Sequence, residues 1–189
     1  MPRLFTGLEI PEDVADELSS LDQPLPGAWW IEDDYFHLTL RFVGDIDNRT
    51  ADEFADQLGL ISMDAFEIQL TGLGTFGGND PRSLWTGVAP SEPLDALQRA
   101  HERAARNAGL PPERRSFKPH VTLARLSHTR IEALARYLAR RGGWRSRPFQ
   151  VERFVLYSSR PQTGGGPYVV EEAYPLRGGW VGDARREKW

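Results

Sequence analysis

His37-Leu38-Thr39-Leu40 and His120-Val121-Thr122-Leu123 spell the same word, histidine–apolar–threonine–apolar, in a chain with only 4 histidines. On an extended strand residues i and i+2 share a face. Each word therefore projects an imidazole and a hydroxyl one way and two apolar side chains the other. Imidazoles of ordinary pKa near about 6.5 take and give protons at neutral pH, and threonine hydroxyls donate to anionic oxygens. Two such strands side by side form an acid–base pair flanked by two donors for an anion. A metal centre fits less well. Zinc typically takes three or four ligands, and the carboxylates nearest the first motif, Asp33, Asp34 and Asp45, have no counterparts at the second. His101 and His128 lack a threonine two residues on. His101 shares helical spacing with Leu94, Leu97, Ala104 and Ala108 and is expected to be packing, partly buried. His128 is expected near a helix start. No metal and no other cofactor is expected.

The elements that carry the motifs repeat as well. Leu4-Phe5-Thr6-Gly7-Leu8 matches Leu84-Trp85-Thr86-Gly87-Val88 at an offset of 80. The two histidines, and Phe66-Glu67-Ile68 against Phe149-Gln150-Val151, match at an offset of 83. Each half reads strand, helix, motif strand, helix, closing strand. In the first half these are residues 3–10, a helix behind Pro11, 37–43, 49–58 and 66–73. In the second they are 84–89, a helix from the N-cap Ser91 to Ala108, 120–126, a helix ended by Gly142-Gly143, and 149–158. One further strand, 168–176, lies outside the repeat. The expected fold is α+β, a bilobed pseudo-twofold duplication. Each lobe is a mostly antiparallel sheet with outer helices, and the motifs lie in the central cleft. The expected boundaries are one domain over 1–177, with halves of about 3–76 and 84–159, and a loosely ordered tail over 178–189 in which Trp180 and Trp189 could dock. Gly164-Gly165-Gly166 reads as a hairpin loop. No Gly-Lys-Ser/Thr follows it, as a phosphate-cradling loop requires. Trp29, Trp30, Phe36, Trp85 and Phe117 read as core aromatics, with Phe36 and Phe117 flanking the motif strands.

The chain has 189 residues, enough for a sizeable core, and no cysteine, which excludes disulfides, thiol catalysis and thiolate metal ligands. No run approaches the length of a membrane span and the start lacks a signal-like apolar stretch, so a soluble cytoplasmic protein is expected. The net charge of −4 hides an asymmetry. Residues 1–76 hold 3 basic and 16 acidic side chains, whereas residues 99–147 hold 13 basic and 3 acidic ones. A basic second half suits a polyanion.

The residues around the motifs resemble the 2H phosphoesterases, and within them the RNA 2′,3′-cyclic phosphodiesterases also called 2′-5′ RNA ligases. The likeness runs over about residues 3–176. It is carried by Arg3-Leu4-Phe5, Pro11-Glu12, His37 to Gly44, Leu84 to Val88 and Phe117 to Arg125. It implies hydrolysis of terminal RNA 2′,3′-cyclic phosphates to 2′-phosphates, independent of metal, with reverse 2′-5′ ligation through the same groups. An RNA-end-binding or ligation module with little turnover is the alternative. By the resemblance His37 is the proton donor, His120 the acceptor, and Thr39 and Thr122 the anion donors, with Arg125, Phe5, Lys118 and Arg41 binding substrate. The first strand departs from the family in carrying Thr6 where a second aromatic often follows. The expected partners are RNA ends bearing the cyclic phosphate, tRNA fragments among them, with no membrane, and the expected state is a monomer.

Overall fold

The computed structural model describes residues 3–159 and 168–178. The hairpin expected at residues 164–166 and the tail beyond residue 178 lie outside them. Ten strands alternate with four α-helices over the described residues. The strands are β1 (Arg3–Glu9), β2 (Ala28–Trp30), β3 (His37–Asp45), β4 (Phe66–Ile68), β5 (Leu70–Phe76), β6 (Ser83–Val88), β7 (His120–Leu126), β8 (Phe149–Val151), β9 (Arg153–Ser159) and β10 (Tyr168–Pro175). The helices are α1 (Glu12–Ser19), α2 (Asn48–Gly59), α3 (Glu92–Asn107) and α4 (Ile131–Arg141).

The main sheet is antiparallel and runs β10-β9-β1-β3-β7-β6-β5, with the short β2 added beside β7. β9, β1 and β3 mirror β5, β6 and β7 about the β3–β7 seam. That seam is one residue pair, Leu38 opposite Val121, so two half-sheets meet at the motifs. The closing strands exchange. β5, from the first sequence half, pairs with β6 of the second, and β9, from the second, pairs with β1 of the first. The sequence halves 3–76 and 84–159 are therefore not the spatial lobes, because each lobe takes its third strand from the other half. β4 and β8 pair separately as a two-stranded ribbon. Each expected closing strand is thus two strands, broken at Gln69 and at Glu152.

Side-chain caps start two of the helices, α3 at the Ser91 expected from the sequence and α2 at Asp47. Ser91 accepts from the Leu94 N–H at the start of α3, and Asp47 accepts from the Thr50 N–H at the start of α2. The helices bury Val14 and Leu18, Phe54 and Leu58, Leu94 and Leu97, and Leu134 and Tyr137 against the inner side chains of the sheet. Leu38 and Val121 are wholly buried there. The opposite face of the motif strands is thereby left to the cleft.

Candidate active site

In β3 and β7 the burial alternates in step. Leu38 and Val121 are in the core, and His37, Thr39, His120 and Thr122 are half-buried on the other face. Since Leu38 stands opposite Val121 in antiparallel register, His37 faces the position of Thr122 and Thr39 that of His120. Directly opposed residues sit about 5 Å apart and diagonal ones about 7–8 Å. One phosphate group can therefore be reached from all four.

Both imidazoles are held in the same tautomer by the same device. The His37 Nδ1–H donates to the carbonyl of Tyr35 at 2.8 Å, and the His120 Nδ1–H donates to that of Lys118 at 2.7 Å. A carbonyl only accepts, so Nδ1 carries the proton in each ring. Nε2 is left free to take or give one. Burial depresses the pKa of both below the ordinary 6.5, opposed by these carbonyl bonds. The His120 charge depresses His37 further, and the Lys118 ammonium does the same to His120.

A β-bulge falls on the last residue of each motif. Thr6 pairs with Arg41 and Gly7 with Thr39, which leaves Leu40 extra. Leu84 pairs with Ala124 and Trp85 with Thr122, which leaves Leu123 extra. A bulge shifts the phase of alternation. Two consecutive residues, Leu40-Arg41 and Leu123-Ala124, therefore turn to the core, and Phe42 and Arg125 emerge exposed. At Gly7 the strands approach so closely that a Cβ would stand 2.7 Å from the Leu38 carbonyl oxygen.

This corrects the expectation for Arg41. It is 7% exposed on the helix side, paired with Glu102 at 2.7 Å and donating to the carbonyls of Phe42 and Pro111. It ties β3 to α3 and does not reach the cleft. Phe5 is corrected as well. Being 4% exposed, it packs against His37, Tyr157 and Tyr168 with ring centroids 4.8–4.9 Å away, and so positions His37. Thr6 faces the core, where its hydroxyl meets Nδ1 of the wholly buried His101 at 2.8 Å. The aromatic lining missing at Thr6 comes instead from Tyr157 and Tyr168, on strands far away in sequence. Lys118 lies over the rings of Trp85 and Phe76, 5.1 and 5.6 Å from their centroids, beside His120. Arg125 is exposed opposite Trp29 of β2. Trp29 is 76% exposed, and Trp85 packs at 5.9 Å from the His120 ring, so neither is the core residue expected. Phe36 is core, as expected. His128 adopts a positive φ of 54° in the turn before α4.

No group of three or more potential metal-ligating side chains occurs among the described residues, and no described helix is long and apolar enough to cross a membrane. The profile of the 2′-5′ RNA ligase superfamily matches residues 10–163. Three relatives carry the name RNA 2′,3′-cyclic phosphodiesterase. One, from Aeropyrum pernix, is 39% identical over 59% of this chain and 65% of its own length. Another, from Geobacillus stearothermophilus, is 31% identical over 82% and 49%. The third, from Aquifex aeolicus, is 33% identical over 92% and 95%. The chain thus spans just under two thirds of the first, about half of the second and nearly all of the third. The fold matches that of the Thermus thermophilus protein TT0787 with a TM-score of 0.77 at 24% identity, covering 93% of this chain and 98% of that one. With E. coli LigT complexed with 3′-AMP the TM-score is 0.73 at 21% identity, over 94% and 99%. With the duplicated motif strands, the shared fold and the profile match in agreement, the chain belongs to the 2′-5′ RNA ligase superfamily of 2H phosphoesterases.

Proposed function

We propose that this protein opens terminal 2′,3′-cyclic phosphates of RNA to 2′-phosphates by two-histidine acid–base catalysis. Water attacks phosphorus while His120 Nε2 takes its proton. The bond from phosphorus to O3′ breaks, and the proton on His37 Nε2 passes to O3′. The products are a 2′-phosphate and a free 3′-hydroxyl. Thr39 and Thr122 donate to the non-bridging oxygens, where charge shifts during the displacement. Both proton transfers come from the protein, so the step requires no metal. With an RNA 5′-hydroxyl in place of water, the same groups join ends as a 2′-5′ linkage, and substrate supply decides between the two outcomes.

The observation that carries this reading is the pair of Nδ1–H bonds to the carbonyls of Tyr35 and Lys118, which present both Nε2 atoms to one cleft. The assignment of roles rests on surroundings. Lys118 beside His120 disfavours its charged form and suits a base. His37 borders a cavity of about 490 Å³ lined by Glu9, Glu12, Asp16, Asp33 and Asp34, has no lysine in the place of Lys118, and takes the acid role as the partner of that base. A 2′,3′-cyclic mononucleotide incubated with the protein in EDTA tests the proposal. Accumulation of the 2′-nucleotide is the expected result. Loss of turnover in the chelator contradicts metal independence, and binding without turnover leaves only an RNA-end-binding module.

A further inference from the structure

The cleft has two exits of opposite charge, and the aromatic expected to be core stands at one of them. Behind His37 lies the acidic cavity just described, in which only Glu9 has a basic partner among the described residues, Arg153 at 2.7 Å. At the other end β7 continues past His120 and Thr122 to Arg125, which lies roughly 10 Å beyond Thr122 along the strand. There Arg125 pairs directly with Trp29 on β2. Opposed residues of an antiparallel pair share a face, so Trp29 lies on the side of Arg125. Its neighbours Ala28 and Trp30 turn the other way, and Trp30 packs against Tyr137 of α4. The indole is 76% exposed, far more than a core-filling side chain would be. Past this pair the chain leads into a cavity of about 430 Å³ bordered by His128, Arg130, Arg136 and Arg140.

We infer that Trp29 is a stacking platform for the nucleotide adjoining the cyclic-phosphate terminus, and that single-stranded RNA leaves the site across Trp29 and Arg125 toward α4. The inference rests on the proposed reading of the site and extends it to substrate beyond the terminal nucleotide. Stacking on an aromatic face is open to every base, and neighbouring cations hold the phosphates, so the platform favours RNA length over sequence. A strand leaving past the acidic cavity would meet repulsion at each phosphate.

The test compares wild-type protein, Trp29→Ala and Trp29→Phe on a 2′,3′-cyclic mononucleotide and on a trinucleotide with the same cyclic end. Trp29→Ala should lose about 5- to 100-fold in kcat/KM on the trinucleotide, chiefly through KM, and leave the mononucleotide unchanged. Trp29→Phe should retain most of the trinucleotide activity. Equal activity of Trp29→Ala and wild type on both substrates overturns the inference, as does an equal loss on both. Calorimetric titration with 2′-phosphate-ended mono- and trinucleotides reads the same platform without turnover. If the wild type hydrolyses neither cyclic substrate, the catalytic proposal fails. The trinucleotide preference lost in Trp29→Ala then still decides the stacking.

Discussion

The two halves hold their histidines by the same backbone device and surround them differently. His37 is enclosed by Phe5, Tyr157 and Tyr168, borders the acidic cavity, and has Tyr35 two residues before it. His120 is more open, lies between Phe76 and Trp85, and has Lys118 in the place of Tyr35. The cross-strand pair Phe5–Tyr157 of one lobe becomes Trp85–Gly74 in the other. There a Cβ on Gly74 would stand 2.4 Å from the indole, so the large ring requires the glycine. The duplication keeps the tautomer and the face, and in the proposed mechanism the differing surroundings separate an acid from a base.

The largest effect should come from removing either member of the pair. His37→Ala and His120→Ala should each lower kcat on a cyclic mononucleotide by about 10²–10⁴-fold, with the thermal midpoint little changed. If only one variant lost activity, the two histidines would not be partners in proton transfer.

The halves also differ behind the sheet. Thr6 bonds the buried His101, whereas its counterpart Thr86 donates to the carbonyl of Gly72. Burial pushes the pKa of His101 down to about 3 from 6.5. The folded state therefore binds fewer protons than the unfolded one between these values. Its stability is full above about pH 6.5 and falls as pH drops toward 3, by up to about 5 kcal/mol from this group. Denaturant midpoints measured against pH should show that decline, and His101→Gln, whose amide does not titrate, should flatten it. Equal slopes for the two proteins would remove His101 as the cause.

Next in size are the threonines. Thr39→Val and Thr122→Val should each cost about 2–4 kcal/mol of transition-state stabilisation, with Thr→Ser milder because the hydroxyl remains. Val and Ser variants of equal activity would reduce these residues to strand formers. Lys118 gives the smallest effect and the most discriminating one. Burial holds the His120 pKa down and the Lys118 charge adds to it, so Lys118→Met should let that pKa rise. A base must be neutral to act, so the acidic limb of the kcat/KM profile should move to higher pH. Movement of the alkaline limb instead would exchange the roles of the two histidines.

Much of this is legible in the sequence, and particular residues mark where legibility ends. The motif strands, the α3 cap at Ser91 and the duplication depend on local chemistry and period, which a sequence displays. Arg41 is expected at the substrate by resemblance, but the bulge at Leu40 adds one residue and turns its side chain to the other face. Trp29 reads as core because β2 is three residues long, too short for a period. The exchange of β5 and β9 between lobes leaves no mark in a repeat, which states which strands correspond and not which strands pair. The bond between Thr6 and His101 joins residues 95 apart in sequence, and neither one's neighbours announce the other.

The pH dependence of kcat/KM on a 2′,3′-cyclic mononucleotide, measured in EDTA, tests the two-histidine pair most directly, because it reads the ionisations of the free protein. Two groups depressed below 6.5, one acting charged and one neutral, require a bell with its optimum on the acid side of 6.5. His120→Ala should lose the acidic limb and His37→Ala the alkaline one. A flat wild-type profile, or one with a single limb that persists in both variants, would contradict the account.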